Sequence, residues 1–143
     1  MIDLNAPIIP WEGIGGISLY SHIEQLNDII QRTNKAPLQL GKYLIRYEIE
    51  DEVDLWFNVV NGKLFKITAS KNYKGKLFDR IYVGMHIDKV IEFEPSFVYD
   101  DFEEVYCSPK GIFIETDPID NTVLWISVYI KELDSDGFEE GNW

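Results

Sequence analysis

Apolar and polar positions alternate along much of this chain. Tyr43, Ile45, Tyr47 and Ile49 share one side, and Arg46, Glu48 and Glu50 the other, which is the two-residue period of a half-buried strand. Val53, Leu55, Phe57 and Val59 continue the pattern, and Asn61-Gly62 then supplies two residues that tolerate the positive φ of a type I′ hairpin turn. Lys63 to Ser70 reads as the returning strand, burying Phe65, Ile67 and Ala69 or their opposites. Further strands are expected over Glu104–Ser108, Ile112–Thr116 and Thr122–Ile130, separated by Pro109-Lys110-Gly111 and the loop 117–121. On the last of these, Trp125 and Tyr129 face one way and Leu124, Ile126 and Val128 the other. Core packing is the expected place for Trp125, and for Trp56 between Asp54 and Asn58.

Two segments carry the helical period instead. One runs over about 23–32 with Ile23, Leu26 and Ile30 inward, ended by Asn34 and Pro37. The other is short, with Ile87, Val90 and Ile91 inward and Pro95 blocking continuation. Ser21 and Glu24 make a Ser-x-x-Glu capping box, and Glu24 and Asp88 sit at the positive ends of the helix dipoles.

The segment Ile17 to Leu26 lines up with Ile81 to Val90 at an offset of 64 residues, each a short apolar piece followed by a turn and a helix start. The expected fold is therefore α+β: two pseudo-repeats, about 13–76 and 77–131, each a helix followed by an antiparallel three-stranded meander. The two would pack as one compact unit within a single domain, 1–143, with a frayed acidic tail over 132–143. This pattern resembles the tandem helix-plus-sheet modules of the outer-membrane assembly lipoprotein of the SmpA type and of the β-lactamase inhibitor protein. The resemblance rests on Gly16-Ile17 to Leu26, Ile81 to Val90 and the strand order, and it implies a module that binds proteins. The chain departs from the lipoproteins in lacking a signal with its cysteine. In size, acidity and lack of catalytic motifs it is also similar to bacterial immunity proteins that neutralise toxins.

Charge sharpens that picture. The 143 residues hold 25 acids and 13 bases, yet residues 1–80 balance, so the whole net charge of −12 falls in residues 81–143. Such a field repels nucleic acid and anionic membranes and attracts basic partners. A lone Cys107 excludes an intrachain disulfide framework. No apolar run approaches the ~18 residues of a membrane span, and Met1-Ile2-Asp3 lacks a basic signal start, so a cytoplasmic protein is expected.

Catalytic motifs are lacking. Carboxylates around Cys107 should raise its thiol pKa and blunt it as a nucleophile. His22 and His86 occupy equivalent repeat positions without metal-ligand spacing, and a structural role at helix starts is expected. Glu50-Asp51-Glu52-Asp54 and Asp100-Asp101-Glu103-Glu104 are read as solvated turn acids. Asp134 to Glu140 lacks the spaced ligands of a calcium loop, and Gly13-Ile-Gly-Gly16 lacks a phosphate-loop lysine. The basic loop Lys71 to Lys76, with Lys63, Lys66 and Arg80, could contact phosphates and Tyr73 could stack on a base, but nucleic-acid binding works against the acidic field. No catalytic residue, cofactor or metal is expected. The positive expectation is a non-enzymatic inhibitor of a basic, nuclease-like toxin domain, with Asp100, Asp101, Glu103 and Glu104 mimicking phosphates and Tyr99 and Tyr106 filling pockets. The alternatives are a housekeeping adaptor, or an enzyme with an unrecognised carboxylate or histidine cleft.

Overall fold

The computed structural model describes all 143 residues. Ten strands form: β1 Gly13–Ile14, β2 Ile17–Ser18, β3 Leu38–Leu40, β4 Leu44–Ile49, β5 Val53–Asn58, β6 Leu64–Ala69, β7 Val98–Asp100, β8 Val105–Ser108, β9 Ile112–Thr116 and β10 Val123–Tyr129. β1 and β2 pair with each other, and the other eight make one antiparallel sheet in the order β3-β4-β5-β6-β10-β9-β8-β7. Helix is scarce: a 3-10 turn Ile23–Leu26 runs into α1 (Asn27–Ile30), α2 spans Ile87–Phe93, and a second 3-10 turn covers Lys131–Asp134. No helix is long and apolar enough to cross a membrane.

This overturns the expected α+β pair of helix-plus-three-strand pseudo-repeats over 13–76 and 77–131. Sheet dominates, four strands run in from each edge, and β6 and β10 join them into one surface. The join is antiparallel, with Ile126 opposite Ala69 and Val128 opposite Ile67. Pairing β6 with β10 removes two strand edges that separate three-stranded units would each leave open. The two added strands, β3 and β7, are only three residues long, too short to show alternation.

The helix starts are also built differently. His22, not Ser21, caps the first: its Nδ1 accepts the Glu24 N–H at 3.2 Å while Gln25 Oε1 accepts the His22 N–H at 2.9 Å. His86 Nδ1 likewise accepts the Asp88 N–H at 3.1 Å. Both rings are thus occupied in satisfying backbone donors that a helix start leaves over. Inward positions on the first segment are Leu26 and Ile29, with Ile30 half-buried, and Ile91 on α2 faces outward. Only Gly62 takes positive φ (72°) in the β5–β6 connection, which spans residues 59–63 rather than a two-residue turn.

One core of 29 buried apolar residues lies on a single side of the large sheet. Val53, Leu55 and Phe57 of β5, Ile67 of β6, Ile114 of β9 and Ile126 and Val128 of β10 point into it. The N-terminal segment covers it through Ile2, Ile8 and Ile14, and the helical segments through Leu26, Ile29, Ile87 and Val90. The tail, expected to fray, is pinned: Phe138 is buried, and Asn58 Nδ2 donates to the carbonyls of Phe138 and Glu139, each at 3.0 Å.

Candidate functional site

No α-helix covers the opposite side of the sheet, which the 3-10 turn Lys131–Asp134 flanks through Leu133 and Asp134. Cross-strand register puts Arg46, Trp56, Lys66 and Tyr129 in one row across β4, β5, β6 and β10. Glu48, Asp54, Thr68, Ser127, Phe113 and Cys107 make the next row, from β4 through β8. Their side chains share this face because each strand alternates. Except for Tyr129 and Glu48, these residues line a cleft of about 610 Å³ together with Trp125, Glu115, Asp100, Glu103, Leu133 and Asp134. Its floor is cationic and aromatic, and its rim is acidic.

Trp56 lies under both cations, with Lys66 Nζ 4.3 Å and the Arg46 guanidinium carbon 5.1 Å from its ring centroid. Phe113 stacks on Tyr129 at 4.4 Å and stands 5.7 Å from Lys66 Nζ. These are cation–π distances, favourable for a partly desolvated ammonium. Arg46 spends one nitrogen on Glu48 at 2.9 Å, and its buried Nε has no hydrogen-bond partner. Lys66 has no carboxylate within ion-pair distance. Below it, Trp56 Nε1 donates to Thr68 Oγ1 at 3.1 Å, and Thr68 shares a hydrogen with Ser127 Oγ at 2.8 Å.

Burial disturbs the charges here. It pulls Lys66 down to about 8, with the Arg46 charge adding to the effect and Asp54, Glu115 and Glu103 opposing it. It pushes Asp54 up to about 6 against the attraction of Arg46, and raises Glu115. Burial also raises the Cys107 thiol, with Asp100 and Glu103 contributing, so this cysteine is a poor nucleophile at neutral pH.

Asp54 has a measurable consequence. Between about pH 4 and pH 6 the folded protein holds a proton that the unfolded chain has released, so stability falls as pH rises through that window and the penalty persists above it. Two pKa units correspond to ~3 kcal/mol, discounted here to about 1–2 kcal/mol because the cleft opens to solvent. Asp54→Asn is expected to stabilise the protein by that amount at pH 8 and to be neutral at pH 4. Urea titrations of both proteins at the two pH values check this, and an equal effect at both would refute it.

The residues singled out in the sequence are divided by the fold. Asp100 opens the β7–β8 turn, its Oδ1 accepting the N–H groups of Phe102 at 2.9 Å and Glu103 at 3.1 Å. Asp101, Glu103 and Glu104 are exposed on that turn, and Asp100 and Glu103 reach the cleft rim. Tyr106 does not join them, whereas Tyr99 is 45% exposed and its hydroxyl pKa is raised by desolvation and by the nearby Glu104, Asp101 and Asp100 charges. The two tyrosines oppose each other across β7 and β8, with ring centroids 4.9 Å apart on the other side of the sheet, where Tyr106 packs against the core. More exposed still near the acids are Phe102 (92% exposed) and Val98 (68%).

Other expectations shift as well. Trp125 is 42% exposed and lines the cleft, Trp56 lies on the same open face, and Asp54 is a cleft residue rather than a turn acid. Tyr73 is buried, its hydroxyl accepting the Gly15 N–H and donating to the Ala6 carbonyl, so it cannot stack on a base. Glu50 and Glu52 both bind Arg32. Lys66, grouped in the sequence with the basic loop, belongs instead to this cleft, and Arg46, Thr68 and Ser127 are not among the expected site residues. Their only signal was a polar residue at every second position of strands whose other face is apolar.

No protein-family model and no curated protein matches the chain. Among solved structures, a cysteine-rich secretory protein from Staphylococcus aureus subsp. aureus Mu50 is similar in fold, with a TM-score of 0.54 and 11% identity over 89% of this chain. The match takes in 49% of that protein, about half its length.

Proposed function

We propose that this chain is a non-enzymatic binding module that docks a basic protein on the acidic end of its sheet. In its narrower form the reading is an inhibitor, such as a cytoplasmic immunity protein that occludes the active site of a nuclease-like toxin, with neither nucleic acid nor membrane as its target. The observation that carries it is the β7–β8 turn, where four carboxylates surround an almost fully exposed Phe102 beside the short edge strand β7. A protruding ring within a field of one sign suits a partner of the opposite sign: the ring supplies buried contact and the carboxylates steer association.

The test is a pull-down from the native organism with the unaltered protein and with the variant Asp100→Lys, Asp101→Lys, Glu103→Lys, Glu104→Lys. A basic protein retained at low salt, weakened at high salt and lost with the variant is the expected result. Equal retention by both proteins, or retention of acidic proteins only, would exclude this surface. A second reading, an enzyme working in the cleft, is favoured by the displaced titrations of Asp54 and Lys66 in one cavity, a pattern common to functional sites. Asp54→Asn separates the two readings, since it leaves docking at the β7–β8 turn intact.

A further inference from the structure

The cleft floor has more donors than acceptors. Thr68 Oγ1 accepts from Trp56 Nε1 and shares one hydrogen with Ser127 Oγ. Whichever of the two hydroxyls donates to the other, one hydroxyl hydrogen is left over, because neither group makes a further bond within the protein. Lys66 Nζ, two positions along β6 from Thr68, brings three more donors and no bonded acceptor. Arg46 Nε is a fourth donor group, buried and unpartnered. Of these groups only Arg46 Nε is buried without a partner; Lys66 Nζ opens to the cleft that Thr68 and Ser127 also line, where an acceptor from outside the chain can reach it.

We propose that the cleft binds a small aromatic carboxylate, its oxygens on Lys66 Nζ and the Thr68–Ser127 hydroxyl pair and its ring against Phe113 and Trp125. Three features select this class. Phe113 lies directly across from Ser127, and Trp125 precedes Ser127 by two positions on the same strand, so the aromatic wall adjoins the donors. The backbone N–H groups beneath are engaged in the sheet ladder, which leaves no amide nest to cradle a phosphate. Asp54 and Glu115 repel a second negative charge, favouring a single carboxylate over a dianion. A cation is excluded from the floor by Lys66 and Arg46 and would remain at the rim. The site shares Asp100 and Glu103 at its rim with the docking surface of the β7–β8 turn, but the residues of its floor are different.

The test uses phenylacetate, phenylacetamide and phenethylammonium with the full chain, followed by the Trp56 Nε1–H resonance and by calorimetry. Saturable phenylacetate binding is expected, with the amide weaker by about tenfold or more, as for loss of a charge-assisted hydrogen bond, and the ammonium without effect on the floor. Lys66→Met should weaken phenylacetate by a similar factor and leave the weak amide affinity unchanged, while Ser127→Ala costs a few-fold. If Lys66→Met fails to fold, the acid-against-amide comparison on the unaltered protein decides the question. No saturable binding of phenylacetate, equal affinity for acid and amide, or undiminished binding to a folded Lys66→Met protein would each overturn the proposal.

Discussion

Phe138→Ala is expected to lower the free energy of unfolding by about 3–5 kcal/mol, the range for truncating a buried aromatic ring. The ring meets Phe65 edge-on at 4.9 Å and stacks with Trp143 at 5.8 Å. Its own carbonyl accepts hydrogen bonds from Asn58 Nδ2 and from Trp143 Nε1 at 2.8 Å. Truncation therefore opens a cavity and also loosens the only acceptors of Asn58 Nδ2, on a side chain that is fully buried. An unpaired buried amide adds to the loss. Urea denaturation of the full chain measures it. A change below about 1 kcal/mol, typical of surface positions, would mean that the tail is frayed after all.

Gly75→Ala is expected to be nearly as costly, about 3 kcal/mol or more, for a different reason. A Cβ at this position would lie 1.9 Å from the Ala6 carbonyl oxygen and 2.6 Å from Tyr73 Cε1. Neither neighbour can yield freely. The Ala6 oxygen accepts the Tyr73 hydroxyl, which in turn accepts the Gly15 N–H at 2.9 Å. The N–H groups of Lys74 and Gly75 both bond the Leu4 carbonyl at 2.9 Å. Admitting one methyl group thus means detaching the N-terminal segment, and with it the burial of Ile2 and Ile8. Gly16→Ala is the control: its φ is +80°, but no atom lies within 4 Å, so only about 1 kcal/mol of backbone strain is expected. Thermal unfolding of the two variants, with proteolysis of the N-terminal segment alongside, separates steric exclusion from strain. Similar losses for both would refute the distinction.

What could be read along the chain was mostly local. Tyr47 and Ile49 do face the core side while Arg46 and Glu48 face away, and Ile112–Thr116 is a strand as expected. Pro95 does end α2, which stops at Phe93. The repeat alignment locates His22 and His86 at corresponding helix starts, where each ring Nδ1 accepts a backbone N–H and caps the helix. Failures came where a partner distant in sequence decides. Trp125 alternates correctly with Ile126, but alternation does not tell which of two faces will be covered. Asp54 looks like one more turn acid until Lys66 and Arg46 arrive beside it from neighbouring strands. Tyr99 and Asp100 are adjacent in sequence, so a strand must send them to opposite faces, and a surface that uses both on one side contradicts the period it was read from.

By itself, then, the order of residues determined the segments that become strands, the acidity of the second half and the lack of any catalytic motif, because each depends on near neighbours or on simple counts. The joining of β6 to β10, the burial of Phe138 by the β5–β6 connection, and the meeting of Lys66, Trp56 and Phe113 in one cleft were decided only in three dimensions. Contacts between residues tens of positions apart depend on which strand edges find each other, and hydrophobic periodicity carries no record of that choice.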